Sequence, residues 1–142
     1  MKRACFIAAV ALVLAGTCFA ESPRQVEVVA EVSLTNQTGL LAGTLYTPKA
    51  TGMFRASLYL QCTQGDPQDV QGITMTLEWF DDVGSERFAF NIADSEKGAP
   101  TSQTFLIKGQ AGMPIDWNIS VRGSNAIYEV YLALERIGPK VQ

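Results

Sequence analysis

Four acids in two turn-rich segments, Asp66 and Asp69 in one and Asp94 and Glu96 in the other, are the first candidates for chemistry in this 142-residue chain. Flexible loops rich in carboxylate and carbonyl oxygens are what calcium takes as ligands. Their spacing matches neither an EF-hand nor a repeat-type calcium loop, and Asp is also an ordinary turn residue. Plain turn chemistry is therefore the expected role of these acids and no cofactor is expected, with calcium the alternative they could hold. Paired carboxylates could also cleave a glycosidic bond, given two acids about 5–9 Å apart in a cleft with aromatic platforms. Glu78 and Asp116 lie beside Trp79 and Trp117 in the sequence. Periodicity places both tryptophans on the core side of their strands, and nothing in the sequence sets the separation of the two acids.

The chain contains no histidine. That removes serine–histidine and cysteine–histidine catalysis together with the commonest metal ligand. Cys62 falls in the alternation Phe54, Ala56, Leu58, Leu60, Cys62. The spacing predicts a small buried hydrophobe there, since no imidazole is present to lower the thiol pKa.

These residues belong to a chain that reads almost throughout as strands joined by turns. Period-two alternation runs through 26–35, 53–63, 73–80, 115–122 and 128–135, with further strands at 40–47, around Phe88 to Ile92, and at Phe105 and Ile107. Clusters of Gly, Pro, Asn and Asp separate them at near-regular spacing. Eight short strands of this kind predict a single all-β domain, an antiparallel β-sandwich and specifically an eight-stranded jelly roll. If consecutive strands run antiparallel, loops 36–39, 64–71, 93–101 and 123–125 share one end, and loops 48–52, 81–85 and 109–114 the other. Asp66, Asp69, Asp94 and Glu96 then belong to the first end, and Asp81 and Asp82 to the second.

The same alternation turns Tyr46, Tyr59, Phe80 and Tyr131 to the nominal outer face, with Val29, Leu106 and Ile127. If contiguous, such residues mark an interface with a partner or a second copy. The other reading is that the in/out assignment is reversed on one or two strands. On the β1 segment the alternation puts Val26, Val28, Ala30, Val32 and Leu34 inside.

The N-terminus carries the three-part pattern of a cleaved secretory signal peptide. Lys2 and Arg3 precede the apolar run Phe6 to Leu14, and Cys18 and Ala20 stand at −3 and −1 of a cut after Ala20. A lipoprotein reading would instead make Cys18 the lipidated residue, with Thr17 a poor residue before it. The run is shorter than the roughly 20 residues that span a bilayer. These features predict a signal peptide at 1–20, a single domain at 21–142, a secreted or periplasmic location and no membrane span. Residues 21–142 hold nine basic against fourteen acidic side chains. An acidic surface without a basic run argues against nucleic acid as partner.

The stretch Leu45-Tyr46-Thr47-Pro48-Lys49-Ala50-Thr51-Gly52-Met53-Phe54-Arg55-Ala56-Ser57-Leu58-Tyr59-Leu60 resembles a segment of trimeric jelly-roll heads of the complement-subcomponent and tumour-necrosis-factor-like type. Similar heads cap phage fibres. It has a strand ending in Pro, a short turn to Gly, one residue, an aromatic, and a long alternating strand. Thr74 to Asp82 followed by Gly84, and Tyr128 to Arg136, sit where such heads place later strands. The resemblance covers about the middle half of the chain. It implies a homotrimer that binds a partner through loops or outer faces, without catalysis.

The expectation is therefore a non-enzymatic β-sandwich acting by self-association or by binding a protein or a surface glycan. Its binding surfaces would be the outward aromatics Tyr46, Tyr59, Phe80 and Tyr131 and the acidic loops. A carbohydrate-active or other hydrolytic domain using Asp/Glu chemistry, and a structural subunit of an envelope or extracellular assembly, are the alternatives.

Overall fold

The computed structural model describes residues 26–64, 72–92, 100–122 and 126–138. Eight strands appear in order: β1 (Val26–Gln37), β2 (Leu41–Tyr46), β3 (Gly52–Gln64), β4 (Ile73–Phe80), β5 (Ser85–Ile92), β6 (Pro100–Gly109), β7 (Ile115–Val121) and β8 (Ile127–Ile137). They form two four-stranded sheets, ordered β1-β8-β3-β6 and β2-β7-β4-β5. Every pairing is antiparallel. Every connection crosses from one sheet to the other except the β4–β5 hairpin. This interleaving of two Greek keys is the jelly roll.

Alternation forces the sandwich. Along β3, Phe54, Ala56, Leu58, Leu60 and Cys62 are buried while the residues between them are half-buried or exposed. One face must find an apolar partner, and the second sheet supplies it with Ile73, Met75 and Leu77 of β4 and Ile115, Trp117 and Ile119 of β7. Cys62 is a free, buried core thiol whose Sγ lies 3.4 Å from the Gln64 carbonyl. Trp79 packs on the core and meets Phe105, which in turn stacks at 4.3 Å on Phe88. This cluster closes the β5/β6 side of the sandwich.

The loop ends sort as the strand count requires. At one end, Gln110 N donates to Phe80 O, Gly112 N to Pro48 O and Ala111 N to Thr51 Oγ1, and Lys108 pairs with Asp82. The segments 48–52, 81–85 and 109–114 therefore meet. Asp81 there accepts from the Val83 and Gly84 amides and holds the hairpin turn. At the other end, Tyr128 Oη donates to Gly39 O and Arg122 N to Gly72 O.

Gly109 lies against the aromatic floor of the end formed by segments 48–52, 81–85 and 109–114. A Cβ there would stand 3.0 Å from Phe54 Cε2 and 3.2 Å from Pro48 Cγ. Both neighbours are held, one in the core and one by a ring, so Gly109→Ala is expected to cost about 1–3 kcal/mol by overpacking. Urea denaturation of the variant checks this.

Two bulges correct the expected orientations. A register shift between Val28 and Ala30 turns Val29 onto the core, and leaves Val26 and Val28 exposed on the outer side. Strict alternation places both inside, and Val29 outside. A second shift, between Thr44 and Tyr46, leaves Leu45 buried and brings Tyr46 edge-on to Phe54 at 5.8 Å. Tyr46 thus packs against the core rather than facing outward. Each bulge inserts one residue, so everything beyond it changes face.

Candidate functional site

The outer face of the β1-β8-β3-β6 sheet is ordered in transverse rows by the strand register. Ser33, Tyr131, Tyr59 and Ser102 form one row, and Glu31, Ala133, Ser57 and Thr104 the next. Below them come Val28, Glu135, Arg55 and Leu106, and then Val26, Ile137, Met53 and Lys108. Tyr59 and Tyr131 are directly opposed on neighbouring strands, and the Tyr59 hydroxyl donates to Gln61 Oε1 at 2.5 Å.

The lower two rows set Val26, Val28, Met53, Leu106 and Ile137 around the ion pair of Arg55 with Glu135, and end at Lys108, which pairs with Asp82. The bond to the Glu135 carboxylate, reinforced by its charge, raises the Arg55 pKa further above its ordinary value, so the guanidinium stays charged. Among the described residues, seven large apolar side chains are exposed. Five of them, Val26, Val28, Met53, Leu106 and Tyr131, lie on this one face, at 38–59% exposure. Leu40 and Val83 are the other two, and both sit in turns.

The four aromatics expected to form one stripe divide into three places. Tyr59 and Tyr131 are side by side on the outer face just described. Tyr46 is turned inward by its bulge. Phe80, half-buried, lies at the end of β4 on the opposite sheet, paired with Ser85. Asp66, Asp69, Asp94 and Glu96 lie outside the described residues. Sequence reasoning missed Val26, Val28 and Met53 as surface residues. The signal was present in the unbroken apolar run Val28-Val29-Ala30, which strict alternation cannot accommodate without a bulge.

The outer face of the second sheet is polar. Thr44, Asp116, Glu78 and Arg87 form a transverse row across all four strands. Thr44 Oγ1 donates to Asp116 Oδ1 at 2.7 Å, and Arg87 meets Glu78 at 3.4 Å. The separation that the sequence left open is thus that of directly opposed residues on neighbouring strands, about 5 Å between Cβ atoms. Each acid is engaged by a neighbour in its row, and the two Trp side chains point to the core side of the sheet. Among the described residues, no group of three or more Cys, Asp or Glu converges as a metal site would. No helix among them is long and apolar enough to cross a membrane.

No family model matches the chain, and no curated protein matches it. Among solved structures it is similar to a subunit of Bacillus endospore appendages, described as disulfide-linked pili. That match has a TM-score of 0.48 and 14% identity, over 87% of this chain and 97% of that one. It is also similar to murine APRIL, a tumour-necrosis-factor-like protein, at a TM-score of 0.41 and 8% identity, over 75% and 94% of the two chains. A third likeness is to the CBM22-1 xylan-binding domain of Paenibacillus barcinonensis Xyn10C, at 0.40 and 14%, over 82% and 83%. At these scores the likenesses assign neither ligand nor partner, and the jelly roll rests on the strand order itself.

Proposed function

We propose that this protein is a non-enzymatic, secreted or periplasmic β-sandwich that works by self-association through the outer face of its β1-β8-β3-β6 sheet. The observation that carries the reading is the gathering onto that face of five of the seven large apolar side chains exposed among the described residues. Scattered exposed apolars are ordinary, whereas a contiguous patch marks a contact surface. The signal-peptide pattern of residues 1–20 supports the location. A trimer is the stoichiometry implied by the resemblance of residues 45–60 to jelly-roll heads.

A surface glycan is the second reading, favoured by the upper rows alone. There two tyrosines are directly opposed in the strand register, neighboured by Ser33, Ser57, Ser102 and Thr104, and the Tyr59 hydroxyl bonds the Gln61 side chain. Flat rings bordered by hydrogen-bonding groups suit a sugar face.

The test is the double variant Tyr59→Ser, Tyr131→Ser, with Val28→Lys, Met53→Lys as an independent pair. All four sites are at least partly exposed, so both variants should fold. Both are expected to shift the mass seen by light scattering towards a single chain. An unchanged mass in both contradicts the interface. Unchanged mass with lost retention on a polysaccharide column, for the tyrosine pair alone, favours the glycan.

A further inference from the structure

We infer a second contact between copies of this chain, made by an edge rather than a face: β6 pairs antiparallel with β6 of another copy about a two-fold axis. The inference shares only the partner, a second copy, with the proposed self-association, and it stands on separate observations.

An edge strand exposes unpaired N–H and C=O groups that another strand can complete, and folded proteins blunt such edges with charge, bulges, Pro or shortness. The sandwich has four edges. β1 carries Glu27 and Glu31 and two register shifts. β2 is six residues long and bulged between Thr44 and Tyr46. β5 carries Glu86 and Arg87 in succession. β6 differs from all three. It pairs with β3 through ten consecutive residues, Pro100 to Gly109, without one register shift. Its other edge has no strand partner among the described residues. Its blunting residues, Pro100 and Lys108, stand near its two ends, and Thr101 to Ile107 contains neither a charge nor a proline.

The occupant follows from the side chains. Centred on Gln103, an antiparallel β6 pair sets Gln103 against Gln103 of the second copy, and Ser102 against Thr104 on the same face. Side-chain amide and hydroxyl pairs across strands are favourable, and Lys108 falls beyond the paired stretch, so no like charges meet. The two outer faces then lie in one continuous eight-stranded sheet, with Leu106 of each copy near the junction. A chain with one face contact and one edge contact builds assemblies larger than a pair.

Gln103 is exposed and lies off the outer face, in the row of Leu58, so its replacement tests the edge without touching the face. Gln103→Glu and Gln103→Lys should each lower the mass by breaking β6 pairing, through repulsion of like charges. An equimolar mixture should recover the parent mass, because Glu then opposes Lys. Amide hydrogen exchange by NMR gives a second readout. The parent should protect consecutive amides from 101 to 105, and each single variant should release alternate ones by tenfold or more. Folded variants with unchanged mass, or alternate amides already unprotected in an oligomeric parent, overturn edge pairing while leaving the face contact standing. Loss of mass in the charge variants with no response to the tyrosine and Val28/Met53 pairs overturns the face contact and keeps the edge. A single-chain parent at every concentration overturns both.

Discussion

Replacing Phe54 by Ala is expected to lower the unfolding free energy by about 3–5 kcal/mol, the range for deleting a large aromatic from a packed core. Phe54 is fully buried, Tyr46 packs edge-on against it, and its ring edge rests where Gly109 has no side chain. The Arg136 guanidinium stands 6.0 Å from its centroid. Neighbours on three sides cannot all collapse into the vacancy, so the cavity term should be large. Domains of this size have in total roughly 5–15 kcal/mol of stability. The variant should therefore unfold at a markedly lower urea midpoint with an unchanged slope. A loss below about 1 kcal/mol would show that the end of the sandwich formed by segments 48–52 and 109–114 is not packed as described.

Tyr128 should show a comparable effect at the opposite end. It is the largest fully buried side chain among the described residues, and its hydroxyl donates to the Gly39 carbonyl at 2.9 Å, tying β8 to the β1–β2 turn. Tyr128→Ala is expected to cost about 3–5 kcal/mol. Tyr128→Phe keeps the ring and isolates the hydrogen bond, at about 1–2 kcal/mol. Burial pushes the phenol pKa up from its ordinary value near 10.0. The folded state thus holds the proton more tightly than the unfolded one. Stability from this group is complete below pH 10 and is lost as pH rises through the folded pKa. Tyr128→Phe should flatten that alkaline decline relative to the parent. Equal slopes in both proteins above pH 10 would contradict a buried phenol.

Much of the fold was legible because alternation is a direct image of a half-buried strand. Strands β3, β4, β7 and β8 were visible as period-two runs with breaker clusters between them, and the order of turns was enough to place segments 81–85 and 109–114 at one end. Two things were not legible. The side on which a strand's residues fall depends on bulges, which shift every later residue by one face; Val28, Val29 and Tyr46 moved for this reason. Which strands share a sheet depends on long-range pairing, so the gathering of Val26, Val28, Met53 and Leu106 on one surface could not be read before β1, β8, β3 and β6 were known to be neighbours. The pair Glu78 and Asp116 illustrates the same limit: only the β4–β7 register brings them together.

Self-association is the function proposed for this sandwich. Its most direct test is the solution mass of the purified protein by size exclusion with light scattering, across a concentration series, with and without calcium. Self-association requires a mass of two or more chains in calcium-free buffer, falling in the outer-face variants. A single-chain mass at every concentration, in both buffers, would contradict it.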